Sequence, residues 1–337
     1  MSGCPLYSAD HMICRTNFHL SPCIRLASRG RLGVICRPVS SPAFFDRDLL
    51  RRRRWSAVVA AAIVLLALVE TVNAFVAPFR APSEKDWRAA AAKVRAGFRP
   101  GDLIVAAPAW ADPILRQQLG DLLPLPVAGR MDSARYGRIW EISQRGAQAV
   151  DTAGAKVAES SRHGALTVRR WERPAAAVTF DFLAEWHRAE VSVVTPEHAE
   201  VPCAATGDRI QCLGGAFVKP DLLEIDTTLR NGLAVEPVER STVVLTFPKT
   251  PLGRDLAVAC GLHSVWLRKL GDGKVHLRVV VDGHELGTID ASSSSGWALK
   301  TFDTTALAGK TGKVRFEITV DKANARRFGF AAEARNP

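Results

Sequence analysis

The sequence predicts an α+β chain made of one N-terminal transmembrane helix, a small α/β domain and an all-β, jelly-roll-like sandwich. Three observations predict it. One long apolar stretch, Ser56 to Phe79, follows directly on Arg51–Arg54. Helical and strand periods alternate through residues 83–178. From residue 179 to 337 short alternating runs succeed one another with no helical period between them.

The 24 residues of the apolar stretch would form a helix of roughly 36 Å at about 1.5 Å per residue, enough to cross a hydrocarbon core of about 30 Å. Glu70 and Asn73 interrupt it. Four arginines before it and mixed charge after Arg80 predict a cytoplasmic N-terminus. The C-terminal 258 residues would then lie outside an inner or plasma membrane, in a periplasmic or extracellular space. The same basic cluster, apolar run and Val72-Asn73-Ala74 also fit a signal peptide cleaved after Ala74. Both readings export the same domains.

The charge follows this topology. The formal net charge is +11, yet residues 1–55 hold ten Arg and three Asp, a net of +7, which leaves +4 for the rest. The basicity is therefore mostly topological, and nucleic acid is not an expected partner. Residues 1–55 show no sustained period, and they read as a disordered basic segment. Their cysteines, Cys4, Cys14, Cys23 and Cys36, contain no Cys-x-x-Cys, which argues against zinc. Asp46-Arg47-Asp48 matches the Asp-x-Asp that holds a divalent cation in many nucleotide-sugar transferases, but no nucleotide-binding domain surrounds it. The plainer reading is a solvated juxtamembrane charge run.

Ser83-Glu84-Lys85-Asp86 has the spacing of a capping box, and Trp87, Ala91, Val94 and Phe98 follow along one helix face. Gly97 and Pro100 end that helix, and Leu103–Ala107 reads as a buried strand. A second helix is predicted from Asp112-Pro113, with Asp112 as its N-cap and Leu115, Leu119 and Leu122 facing inward. Arg138–Ile142 and Leu166–Trp171 read as strands, with a weak helix at 145–160 between them.

The run Asp86-Trp87-Arg88-Ala89-Ala90, then Arg99-Pro100-Gly101-Asp102-Leu103-Ile104-Val105, Pro108-Ala109-Trp110 and Arg138-Ile139-Trp140 resembles a known arrangement. It is similar to the soluble tail after the last membrane helix of lipid-linked-sugar glycosyltransferases of the protein-mannosyltransferase and aminoarabinose-transferase type. The resemblance covers roughly residues 55–175. In that family the many spans and the acidic catalytic base lie upstream of the tail, so no catalytic residue is carried over. It implies an accessory piece docking on a multi-pass membrane glycosyltransferase. Asp86, Trp87, Gly101 and Asp102 carry it, and each also has a structural role as helix start, core aromatic or tight turn.

In the second domain, strands are predicted at 178–182, 191–194, 222–225, 242–247, 275–281, 297–302, 314–318 and 328–330. Asp282-Gly283 between alternating runs is a strong hairpin signal. Val281-Asp282-Gly283, Gly296-Trp297, Asp303-Thr304, Leu307-Ala308-Gly309 and Val314–Ile318 together resemble the jelly-roll sandwiches of galactose-binding-like proteins and carbohydrate-binding modules. That resemblance implies a saccharide ligand by analogy of fold.

Catalytic signatures are sparse. The chain has no Gly-x-Ser-x-Gly, P-loop, Gly-x-Gly-x-x-Gly or His-Glu-x-x-His, and its exported histidines never fall at metal-ligand spacing. No cofactor or metal is expected. Asp181 and Glu185 could pair for glycoside hydrolysis, but alternation puts Asp181 opposite Phe180 and Phe182, on the outer face of a strand. For a sugar, Trp266 or Trp297 would supply a flat face, with His263, Arg268 or Asp303 as polar contacts. The alternative is that both tryptophans are core fillers. Cys203 and Cys212 flank the turn-forming Thr206-Gly207-Asp208 and suit a disulfide in an oxidising compartment, leaving Cys260 as a buried apolar residue.

Two functions follow. The first is a membrane-anchored, exported, non-catalytic envelope protein that binds a glycan or another envelope component. The second is a detached accessory subunit of a lipid-linked-sugar glycosyltransferase.

Overall fold

The structure, a computed structural model, describes residues 47–262, 273–292, 294–322 and 327–337. The expected disordered segment spans residues 1–55: residues 1–46 lie outside the described residues, and residues 47–55 are helical, continuous with the apolar helix that follows. Helix α1 (Arg47–Arg80) contains Trp55–Ala77, a stretch of mean hydropathy 2.3 that is long and apolar enough to cross a membrane. The large apolar side chains from Trp55 to Phe75 are exposed.

The α/β lobe opens on α2 (Glu84–Gly97). Ser83 accepts from the Asp86 amide while Asp86 accepts from the Ser83 amide, a complete capping box. Trp87, Ala90, Ala91 and Val94 form its buried stripe. A turn leads to β1 (Leu103–Ala107), all five residues of which are buried, and then to α3 (Asp112–Leu119). Ala111, rather than the expected Asp112, caps α3. Asp112 is already helical and its carboxylate is taken by Arg116 one turn on, at 2.5 Å. Leu115 and Leu119 are fully buried and Leu122 partly so.

After the short α4 (Leu125–Ala128) come β2 (Arg138–Gln144), β3 (Lys156–His163) and β4 (Leu166–Glu172). The sheet order is β1-β2-β4-β3, with β1 and β2 parallel and the other pairs antiparallel. The helix expected at 145–160 is replaced by a loop and the edge strand β3. Its polar residues do not need a buried face there, and the tight turn at Gly164 (φ +58°) lets it pair back along β4.

The sandwich has two antiparallel sheets. One contains β5 (Ala177–Asp181), β8 (Ala204–Thr206), β9 (Arg209–Gln211), β10 (Phe217–Ile225), β11 (Thr228–Glu236), β13 (Asp255–Leu262), β16 (Ala298–Asp303) and β18 (Phe328–Asn336), ordered β16-β13-β18-β11-β10-β9-β8 with β5 also on β18. The other contains β6 (Glu190–Val194), β7 (Glu200–Pro202), β12 (Thr242–Pro251), β14 (Val275–Val281), β15 (His284–Ala291) and β17 (Thr311–Val320), ordered β15-β14-β17-β12-β6-β7. Between them Phe180, Phe182, Phe247, Phe316, Phe328 and Phe330 make a chain of mostly edge-to-face rings. Asp282 and Gly283, both at positive φ, turn β14 into β15 as the Asp-Gly pair predicts. Cys203 and Cys212 are joined in a disulfide. Cys260 is fully buried in the core, and burial pushes its thiol up to about 12.

Candidate ligand-binding site

The site arises where β18 changes partners. Along one edge, Phe328–Phe330 pairs with Val235–Leu233 of β11, whereas Glu333–Asn336 pairs with Asp181–Ala177 of β5. Ala331 and Ala332 lie at the hand-over. The outward residues of β18 are Gly329, Ala331, Glu333 and Arg335, alternating with inward Phe328, Phe330, Ala332 and Ala334. Two of the outward four are small, so the α4–β2 segment of the lobe can approach this face. Met131 packs there on Ala257, Ala259 and Ala331, with Trp297 against the same cluster.

What remains open is a cleft of about 590 Å³, within the usual size range for small-molecule sites. The lobe contributes Arg130, Met131, Arg135 and Tyr136, and the turn after β5 contributes Leu183 and Trp186. Leu222, Asn231 and Glu333 complete it from the sheet.

Its walls are fixed by a charged network. Arg335, only 6% exposed, donates to both oxygens of Asp132 (2.8 and 3.1 Å) and to Oε2 of Glu333 (2.7 Å). Arg135 donates to the other oxygen of Glu333 and to Asp181 at 2.9 Å. Asp181 also accepts from the Leu183 and Ala184 amides through its second oxygen, shaping the turn that presents Trp186. Burial pushes the Asp132 carboxyl up, but the Arg335 guanidinium outweighs it and holds Asp132 below its ordinary value. Burial likewise works against the charge on Arg135, and Glu333 and Asp181 more than restore it. These carboxylates are committed to guanidinium partners. Asp181 is therefore a wall of the site, and Glu185 pairs with Arg188.

Other polar groups are available. The Tyr136 ring sits in the lobe's second core beside Leu103, Val105, Ile139 and Trp171, and burial raises its phenol. Its hydroxyl has no hydrogen-bond partner among the described residues. Asn231 spends its amide nitrogen on the Gly129 carbonyl (3.1 Å), leaving its side-chain oxygen as an acceptor. A partly buried Trp186, Tyr136 and Asn231 thus line one concavity. An amphipathic ring compound needs that mixture of an apolar face and fixed polar groups.

Of the residues nominated from sequence, the two that the structure describes, Trp297 and Asp303, fall outside the cleft. His263, Trp266 and Arg268 lie outside the described residues. Trp297 donates from Nε1 to the Thr228 carbonyl (3.0 Å) and carries the Arg230 guanidinium over its ring at 5.3 Å, so it packs beside the cleft without lining it. Asp303 is exposed at the far end of β16, where it accepts from the Thr305 amide (2.8 Å). Six residues of strand, roughly 20 Å at about 3.3 Å each, separate it from Trp297, so the two do not converge.

No family model matches the chain, and no curated protein matches it. Solved structures give distant likenesses. The CBM51-2 and INT domains of Clostridium perfringens ZmpB share 10% identity at a TM-score of 0.24, over 59% of this chain and 32% of that one. CBM51-2 in complex with GlcNAc, with INT, shares 15% at 0.29, over 56% and 43%. The CBM36-1 domain of a multidomain xylanase from the hindgut metagenome of Trinervitermes trinervoides shares 12% at 0.23, over 42% and 95%. The chain thus spans about a third of the length of the first of these.

Proposed function

We propose that this chain is a membrane-tethered, exported, non-catalytic protein that binds a saccharide of the cell envelope in the cleft between its lobe and its sandwich. The observation that carries the reading is the convergence of Trp186, Tyr136 and Asn231 on one concavity whose walls are held by paired charges. Trp186 would stack on the apolar side of a sugar ring, and the hydroxyl and amide oxygen would fix its hydroxyls. The tether is Trp55–Ala77, with the N-terminus cytoplasmic by the arginine cluster that precedes it.

Calorimetric titration of the full chain in nanodiscs against envelope mono- and oligosaccharides, N-acetylglucosamine among them, tests this. We expect binding that Tyr136→Phe weakens about tenfold, the scale of one lost hydrogen bond of about 1.4 kcal/mol, with the melting temperature nearly unchanged. No heat across the panel, or wild-type binding by Tyr136→Phe and Trp186→Ala together, would remove the cleft as a sugar site.

A further inference from the structure

We propose that the end of the α/β lobe bearing Trp110, Lys85, Arg145 and Arg162 rests on an anionic phospholipid surface. The proposal uses the tether of the previous subsection and adds a second contact with the membrane. Topology brings these residues to one end. The Asp86 carboxylate at the start of α2 lies against the β3–β4 turn, where a side chain on Gly164 would meet it. Across the sheet, Leu166 after that turn pairs with Gln144, Thr167 with Ser143, and Ser143 with Ala107. The C-terminal ends of β1 and β2 therefore sit beside the N-terminus of α2. α3 starts there too, because its other end meets the last turn of α2 where Arg95 bonds the Gln118 carbonyl and Asp121. The sandwich joins the opposite end, where the Arg173 amide bonds the Gly137 carbonyl after β4.

This end carries an unusual surface. Trp110, on the loop leaving β1, is 65% exposed, and Ile114 one turn on is also exposed. The carboxylates here are engaged: Glu84 with Arg88 and Asp112 with Arg116 (2.5 Å each), and Asp86 in the capping box. Lys85, Arg145 and Arg162 are exposed and form no salt bridge within the described residues. An exposed indole among unpaired cations suits the headgroup layer, where Trp is enriched and Lys and Arg meet anionic lipid. Chain length demands proximity. Only Ala81, Pro82 and Ser83 separate Arg80 from Glu84, so α2 begins no more than about 14 Å past the end of the apolar helix. Headgroup zones are about 5–7 Å deep per leaflet, so the linker keeps the end of the lobe that starts α2 within reach of a bilayer that the helix enters.

The test places a photoreactive benzoylphenylalanine at position 110, or at the equally exposed Leu213 of the sandwich, in the full chain reconstituted in vesicles. The vesicles contain equal parts of phosphatidylcholine and phosphatidylglycerol. We expect lipid adducts at 110 to exceed those at 213 by about tenfold or more. Arg145→Glu with Arg162→Glu, or raised salt, should reduce the excess several-fold, while vesicles of phosphatidylcholine alone show little dependence on either. Retention in alkaline carbonate without excess adduct at 110 overturns the surface contact and leaves the tether standing. Release of the chain by carbonate overturns the tether and the proposal with it.

Discussion

Trp297 illustrates how a residue is read one way from its neighbours in sequence and another from its neighbours in space. Its place after the serine run Ser292–Ser295 suggests a ring near a strand end. In the fold that ring covers the alanines of β13 and β18, bonds a carbonyl and stacks on Arg230. Arg230 is itself half-buried, with one terminal nitrogen lacking a partner; burial lowers its pKa, the Asp132 carboxylate works against that, and the indole face adds a cation–π contact. Trp297→Ala should therefore destabilise the chain by about 2–3 kcal/mol, less than the about 3–5 kcal/mol of a fully buried aromatic because the ring is only partly buried. It should also leave saccharide binding in the cleft unchanged if the protein is folded. Urea unfolding and titration on the same variant separate the two effects. The residues that do line the cleft were hidden for a simple reason. Arg135 and Glu333 stand 198 positions apart, and no local pattern links them. One signal existed in Phe328 to Arg335, where outward glycine and alanine give way to outward glutamate and arginine. Small residues beside charges on a sheet face indicate that something covers it.

Elements were most legible where local chemistry alone decides them. The capping box at Ser83–Asp86, the Asp-Gly turn and the short alternating runs all have causes within a few residues, and the structure agrees with each. Residues 145–160 were misread because an exposed edge strand has no apolar face to announce it. Pairing with β4, a tertiary effect, decides its state. The hairpin β14–β15 with its neighbour β17 carries a further device. His276 on β14 bridges Asp290 of β15 (2.8 Å) and Asp321 just past β17 (2.9 Å), an arrangement that favours the doubly protonated ring. The Asp290 hydrogen bond, with Asp321 in support, raises its pKa above the ordinary 6.5. Arg278, Glu285 and Glu317 lie farther along the same outer face and satisfy one another. Because the folded value is raised, the stabilisation is fully present below about pH 6.5 and fades as pH rises through the folded value. The stability difference between the wild type and His276→Gln should thus be larger at about pH 6 than at about pH 9. Denaturant midpoints at the two pH values measure it. A difference that grows with pH would contradict the bridge.

At the scale of the whole molecule, the lobe and the sandwich have separate cores, one built on Trp87, Trp140 and Leu115 and the other on the phenylalanine chain. Either could in principle melt alone. What joins them is mostly polar: Arg335 on Asp132, Arg135 across to Asp181 and Glu333, the Asn231 amides on Gly129, and the small apolar contact of Met131. The Glu333 and Arg335 side chains are 5% and 6% exposed, so removing one partner strands a buried charge. Such a loss typically costs about 3–5 kcal/mol, far more than an exposed pair returns. The lobe and sandwich should therefore unfold in one calorimetric transition in the wild type. In Arg335→Ala, Asp132 loses its guanidinium partner and Glu333 keeps only Arg135, while neither apolar core is touched. The transition should then split, with the first component about 10 °C lower. Because the same network walls the cleft, ligand affinity should fall in that variant well below the folding midpoint. Two resolved transitions in the wild type would mean that the junction couples the lobes too weakly to hold a preformed site. Saccharide binding would then have to include the free energy of closing it.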